Sequence, residues 1–344
     1  MQPRRDPGDG PIESPDIRDP ASQIQSKGAM IDLSTYPALQ SLVAHQLEVW
    51  PEHAPSLARS FESRSPATLA IGEEAAEMIM RLAASAAADE GLHRVCRDYR
   101  YLCEELILPE ELHFRRNGRY RLNSFEDANR ECYANAGMMA RYMDGLLLST
   151  VFWNNHAGAF TDYVNRYLPT LPVTARHLEI GPGHGLQLSF AASRLPSGEI
   201  SGWDISPTSV ARTRMALDQL NEGRTIAIEV RDLFAPKSAE DLNAFDSIVL
   251  SEVLEHLEDP AKALLHIKEL LKPGGLIWVN VPINSPAPDH IFLLRTPEEA
   301  RQLVSDAGFE VVASDNFPMS NFSLASARKH RLCVSCVVTG RRVA

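Results

Sequence analysis

From residue 175 onward, five apolar runs alternate with helix-patterned stretches: RHLEIG, EISGWDI, TIAIEVRD, FDSIVLS and LIWVNVPI, with PAKALLHIKELL the clearest of the intervening helices. No other feature constrains the fold as strongly. Strands joined through helices must cross over, the crossovers are right-handed, and the strands then lie parallel. Two more strand runs, FEVVASDNF and RLCVSCVVTG, close the chain with no convincing helix pattern between them. They are expected to pair as a final antiparallel hairpin. The predicted architecture is α/β: a doubly wound, mostly parallel seven-stranded sheet with an antiparallel C-terminal hairpin.

The N-terminal half reads differently. Residues 1–28 hold Pro3, Pro7, Pro11, Pro15 and Pro20 among charges and predict a disordered tail. From about 29 to 112, apolar residues recur three and four apart, as in LQSLVAHQLEVW and EEAAEMIMRLAASAA. HFRRNGRYRLN then alternates around Asn117-Gly118, a hairpin signal. Helices followed by a hairpin are the order of a winged-helix module, with Arg115, Arg116, Arg119 and Arg121 as phosphate contacts. The net charge of −11 argues against nucleic acid and against anionic membrane, and favours a substrate-covering or dimer-forming role. Tyr142, Leu146, Ser149, Trp153, His156 and Phe160 form one stripe at helical spacing before Pro169 and Pro172 punctuate the chain. The expected domains are therefore a tail (1–28), a mainly helical covering domain (29–168) and a ligand-binding α/β domain (169–344).

No apolar run reaches the length of about 18 residues that a transmembrane helix needs, and the first residues lack the apolar core of a signal peptide. A cytoplasmic location is the expectation. The five cysteines fit a reducing compartment. Cys333 and Cys336 lie three apart in a β-like run, so they face opposite sides of a strand and read as buried strand cysteines rather than a metal or redox pair.

HLEIGPGHGLQLSF places Gly181, Gly183 and Gly185 at the first strand–helix turn, where open α/β sheets bind ligands. A dinucleotide loop, G-x-G-x-x-G, needs its third glycine at 186, which is Leu186. A nicotinamide-cofactor oxidoreductase is thereby disfavoured. Glu179 stands beside the loop, where a carboxylate repels a pyrophosphate and suits a cation. Asp204 ends the second strand, placed to accept from both ribose hydroxyls, and Asp232 ends the third, placed to accept from an adenine amino group. The pattern points to a phosphate-free, positively charged adenosine cofactor.

These residues, in this order, resemble the class I S-adenosylmethionine-dependent methyltransferases, a Rossmann-like fold. LEIGPGHG resembles their first motif, and FDSIVLSEVLEHLEDP with LLKPGGLIWVNVP resembles the branch of ubiquinone-type O-methyltransferases. The resemblance spans about 175–340 and implies S-adenosylmethionine as cofactor. It places Glu179, Gly181, Gly183 and Gly185 on its methionine and ribose side and Asp204 on the ribose. Ile205 would flank the adenine, with Ser206 also among the cofactor-binding residues; Asp232 and Leu233 would contact the adenine edge, and Ser251 and Glu252 would lie beneath the sulfonium. The implied reaction is methyl transfer to the oxygen or nitrogen of a small-molecule metabolite, in a specialised biosynthetic pathway. Transfer to carbon, or to RNA through the winged-helix reader, is the alternative.

An acceptor that must lose a proton calls for a base, and three histidines qualify. His256 stands four residues past Glu252, on one face with it if that segment is helical. His290 follows the fifth strand, and His156 belongs to the aromatic stripe. Each has a structural alternative: bracing a loop for His256, loop packing for His290, core or lid packing for His156. No cluster shows metal-ligand spacing, and Asp289 beside His290 is too little to argue one.

Overall fold

A computed structural model describes residues 23–25, 30–62, 64–85, 91–221 and 223–343. Most of the expected tail lies outside them. Gln23–Gln25 pairs antiparallel with Met30–Asp32.

The C-terminal half forms a seven-stranded sheet: β1 (Arg176–Ile180), β2 (Glu199–Asp204), β3 (Ala227–Val230), β4 (Phe245–Ser251), β5 (Leu271–Ile283), β6 (Phe309–Pro318) and β7 (Val334–Arg342). Their spatial order is β3-β2-β1-β4-β5-β7-β6. The first five are parallel, and β7 runs antiparallel to both β5 and β6. The strand order reverses between β1 and β4, which is where such sheets open a ligand crevice at the carboxyl ends. The expected C-terminal pairing is present, but its connection is not bare: Leu324–His330 is a short helix capped by Ser323, whose side chain accepts from Ser326 N. Seven residues are too few for a legible 3.6 period.

Local sequence explains the crossover helices. Three of them open on an Ncap residue followed by proline: Ser206-Pro207, Asp259-Pro260 and Thr296-Pro297, each capping side chain accepting an amide three residues on. Proline is tolerated there because its missing N–H has no partner in a first turn anyway.

The N-terminal half is helical: α1 (Pro37–Val49), α2 (Ala54–Phe61), α3 (Pro66–Ser85), α4 (Gly91–Tyr101), α5 (Leu108–Asn117), α6 (Phe125–Ala128), α7 (Ala136–Phe152) and α8 (Asn154–Asp162). The hairpin expected at Asn117-Gly118, and the winged-helix reading built on it, are corrected. Asn117 is the last residue of α5, and Gly118 caps it with φ 66 while its amide donates to Phe114 O. A left-handed glycine after asparagine serves a helix C-terminus as well as a tight turn, and the helix won. Arg115 pairs with Glu111, and Arg121 with Glu110 and Glu131.

The stripe is broken at Trp153, whose backbone is extended (φ −90, ψ 126), so Tyr142 and Ser149 lie on α7 while His156 and Phe160 lie on α8. The stretch after α8 packs straight onto the sheet. Trp278 of β5, fully buried, donates Nε1–H to Asp162 Oδ1 (3.0 Å), and its ring lies 5.2 Å from that of Tyr163. Tyr167 OH meets Ser247 Oγ at 2.6 Å. One apolar core fills this face, shared with α1–α4 and α7. A second fills the opposite face beneath Pro260–Leu270 and Pro297–Asp306.

Helix α7 approaches α4 closely at Gly145, where a Cβ would sit 2.8 Å from Leu102 Cβ and 2.9 Å from Asp98 O. Both contacts are with atoms that cannot rotate away. Gly145→Ala is expected to destabilise the protein by roughly 1–3 kcal/mol through overpacking, read as a lowered urea midpoint. Wild-type stability in that variant would refute the close contact.

Candidate active site

Strand β1 delivers the glycine loop. Gly181, Gly183 and Gly185 have φ of 66, 52 and 79, all in the left-handed region where a side chain is strained. Gly181 N donates to Trp203 O (2.8 Å), Thr213 Oγ1 donates to Gly183 O (2.6 Å), and Gly185 opens the helix Leu186–Arg194. Leu186 is buried in the core, which explains why the dinucleotide glycine is dispensable here. The loop is braced by its own bonds at the helix N-terminus, Gly185 N donating to Pro182 O (2.8 Å) and Leu186 N to His184 Nδ1 (3.4 Å).

Glu179, two residues upstream, is 2% exposed, and its Oε2 has no hydrogen-bond partner. Burial pushes its carboxyl up to about 8. An orphaned buried carboxylate beside an amide-rich loop is a ready partner for a cation. Asp204 ends β2, its Oδ1 accepting Ser206 N at 2.8 Å, and burial raises it. Ile205 is more than half exposed beside it, and Ser206 caps the following helix. Asp232 shapes its own turn, its Oδ1 accepting Phe234 N (2.8 Å), and Leu233 packs on the second core.

At the end of β4, Ser251 and the next residue, Glu252, are gripped by Asn280 of β5. Its Nδ2 donates to Ser251 Oγ (3.3 Å) and Glu252 Oε1 (2.9 Å), and its carbonyl accepts Glu252 N (2.9 Å). Glu252 has φ 55, a conformation glutamate rarely adopts, held at the switch point by these bonds. The chain then makes a single 3₁₀ turn, Leu254–His256. The expected helical face shared by Glu252 and His256 therefore does not form. Glu255 takes that place: fully buried, its Oε1 lies 3.7 Å from His256 Nε2 and 3.9 Å from His290 Nε2. Glu255, His256 and His290 offer ligand-type atoms all within 4.8 Å of one another, a grouping the chain pattern did not disclose.

The N-terminal helices roof this end of the sheet. Tyr142 OH donates to Asp289 Oδ1 (2.9 Å), and Tyr133 OH donates to Asp289 Oδ2 (3.1 Å) while lying 3.2 Å from His256 Nδ1. Met143 of α7 stands over the glycine loop, 3.9 Å from where a Cβ on Gly183 would be. Ser149 Oγ donates to Leu146 O and lies 3.1 Å from His156 Nδ1. Burial pushes His156 down to about 3, and His290, with His256 beside it, down to about 4, so both are neutral at pH 7. The positive φ values of the loop and the orphaned Glu179 fit a cofactor with a nucleoside and a cationic tail. A separate groove starts at Arg176, Glu199 and Phe245, at the amino ends of their strands, and runs along β2 and β3 to Trp203 and Arg231.

Residues 152–314 match a family model described as a methyltransferase domain. The chain is 32% identical over 126 residues to a ubiquinone biosynthesis O-methyltransferase of Xanthomonas axonopodis pv. citri, covering 37% of this chain and 50% of that one. It is also 32% identical over 125 residues to a trans-aconitate 2-methyltransferase of Methylobacterium radiotolerans, covering 36% and 45%. The chain thus spans about half the length of the curated relatives it matches. Among solved structures, the N-methyltransferase NodS from Bradyrhizobium japonicum, in complex with S-adenosyl-L-homocysteine, is 17% identical with a TM-score of 0.44 over 64% of this chain and 98% of that one. Fold and site define a Rossmann-like ligand-binding domain of the nucleoside-cofactor type. The C-terminal half of the chain is similar to methyltransferase domains, with ubiquinone biosynthesis O-methyltransferases among the relatives it matches.

Proposed function

We propose that this chain transfers the methyl group of S-adenosylmethionine to an oxygen or nitrogen of a small molecule held beneath α7. The observation that carries this reading is the roof. Tyr133, Tyr142 and Met143 close over the carboxyl ends of β1, β4 and β5, bringing helical residues against His256, Asp289 and the glycine loop. Such a cover suits a compact acceptor and serves an in-line displacement, which demands close approach in a dry site. When bound, the cofactor supplies an electrophilic methyl on a sulfonium. On this reading Glu179 offsets positive charge, Asp204 holds the ribose, and Asp232 reaches the adenine edge. His256, the more exposed of the two histidines beside Glu255, is the candidate base.

The RNA-directed alternative rested on the hairpin that α5 replaces, and Arg115 and Arg121 already hold carboxylates. Among the described residues no helix is long and apolar enough to cross a membrane. The test is to incubate the protein with S-adenosylmethionine and a panel of phenols, amines and carboxylic acids. A small-molecule product heavier by one methylene unit, with equimolar S-adenosylhomocysteine, is expected, and its NMR spectrum locates the new methyl. Methylation of added RNA with no small-molecule product would overturn the reading.

A further inference from the structure

We infer that Tyr133, Tyr142 and Asp289 are positioning residues that hold His256 with its proton on Nδ1 and a free lone pair on Nε2. The inference rests on the methyl-transfer reading and deepens it. Both tyrosines precede residue 152, where the match to a methyltransferase domain begins, so this grip comes from the helical half of the chain.

Asp289 is 3% exposed, and among the described residues no arginine or lysine pairs with it. A buried carboxylate is costly unless donors meet it. Two hydroxyls do so: Tyr142 O–H donates to Oδ1 at 2.9 Å and Tyr133 O–H to Oδ2 at 3.1 Å. Burial pushes both tyrosines well above their usual range, so they keep the protons they donate. Burial also opposes ionisation of Asp289. The imidazoles of His256 and His290, with the Tyr142 hydroxyl, outweigh it and hold the carboxyl below its usual value.

The consequence falls on His256. Its Nδ1 lies 3.2 Å from Asp289 O and 3.2 Å from the Tyr133 hydroxyl oxygen, with Asp289 Oδ2 at 3.5 Å. A carbonyl can only accept, and so can a hydroxyl oxygen whose single proton is already given to Oδ2. Every atom facing Nδ1 is therefore an acceptor, and the ring proton sits there. Nε2 is left with a bare lone pair on the far side of the ring, 3.7 Å from Glu255 Oε1 and too distant to hydrogen-bond it. Further bonds from the helical half pin the two segments that carry these groups. Cys132 Sγ–H donates to Pro288 O (3.3 Å), Ser285 N to the Tyr120 hydroxyl (3.2 Å), and Phe125 N to Glu258 Oε1 (2.9 Å). The helices thus do more than cover the site: they set a protonation state within it.

With its lone pair free, Nε2 takes the proton of an acceptor O–H or N–H. The acceptor atom bonds to the methyl carbon in the same step, and sulfur keeps the electron pair of the broken carbon–sulfur bond. The imidazolium so formed faces the Asp289 carboxylate, which stabilises the charge as it appears.

Asp289→Asn tests this at nearly constant volume. Its side-chain amide would donate where Oδ2 now accepts, turning the Tyr133 proton towards His256 Nδ1. Imidazole nitrogen-15 spectra of the full chain are expected to show Nδ1–H at His256 in the wild type and mainly Nε2–H in Asp289→Asn. On an acceptor from the panel, kcat should fall by at least about 100-fold, as for a base held in the wrong tautomer. KM for S-adenosylmethionine should stay within about threefold, because the loss lies in the chemical step. Tyr142→Phe, which removes one donor from Oδ1, should lower kcat by about tenfold. In Tyr133→Phe the Asp289 carbonyl still accepts from Nδ1, so the tautomer should persist. Near-UV circular dichroism and S-adenosylhomocysteine titration check that the variants are folded. A wild-type His256 carrying Nε2–H, or Asp289→Asn with the wild-type tautomer and rate, would overturn the inference. The spectra need no acceptor, which separates the two readings. The expected tautomer change with no methylated product keeps the positioning and sinks methyl transfer, whereas wild-type turnover by Asp289→Asn does the opposite.

Discussion

Asp204→Ala is expected to weaken binding of S-adenosylmethionine and S-adenosylhomocysteine alike, by about 100- to 1,000-fold, with only a small change in unfolding. A carboxylate at the end of β2 that accepts from two ribose hydroxyls makes two charge-assisted hydrogen bonds. At roughly 1.5–3 kcal/mol each they exceed the 1.4 kcal/mol that corresponds to a factor of ten. Both compounds share the ribose, so both suffer equally, whereas loss of an electrostatic partner of the sulfonium would penalise only the charged one. The structural cost is modest because the carboxylate's local bond is one amide, Ser206 N, and removal also relieves a partly desolvated charge that burial already raises. Isothermal titration of both ligands checks this, and an unchanged curve would remove Asp204 from the site.

The second large effect concerns Glu179 and pH. Its carboxyl is raised from 4.5 to about 8 by burial alone. Between those values the folded chain holds a proton that the unfolded chain has lost. Stability of the ligand-free protein therefore falls as pH rises through this window, by at most about 1.4 kcal/mol per unit. Glu179→Gln should remove that slope and leave the ligand-free protein more stable at pH 8 by a few kcal/mol, taken as an upper bound. Glu252 contributes a slope of the same sign in both proteins, so the difference between them isolates Glu179. Tyr163 nearby is held well above its usual value and stays neutral throughout.

A cationic ligand prefers the ionised carboxylate, so wild-type affinity for S-adenosylmethionine should climb with pH until about 8. Binding at pH 7 should release a proton, visible as a dependence of titration heat on buffer ionisation. In Glu179→Gln the proton release should vanish and the affinity at pH 8 should drop. Identical pH profiles for the two proteins would refute the role of this carboxylate as a cation's partner.

Much of the fold was legible because its signals are local. Strand runs alternate with helices that open on Ser-Pro, Asp-Pro or Thr-Pro, and three glycines in five residues serve backbone conformations that few other residues adopt. The dipeptide Asn117-Gly118 shows where locality fails. It announces a left-handed residue but does not say whether a strand or a helix precedes it, and α5 was decided by packing.

The site divides along the same line. Sequence alone determined the alternating strands, the glycine loop and the acidic residues at the strand ends, since each depends on its immediate neighbours. Only the tertiary structure joined Tyr133 to His256 and Tyr142 to Asp289, across 123 and 147 residues. It also turned Glu255, an ordinary residue of a 3₁₀ turn, into a buried carboxylate facing two imidazoles. Burial and convergence are properties of the folded whole, fixed by which helices roof the sheet, and no spacing along the chain encodes them.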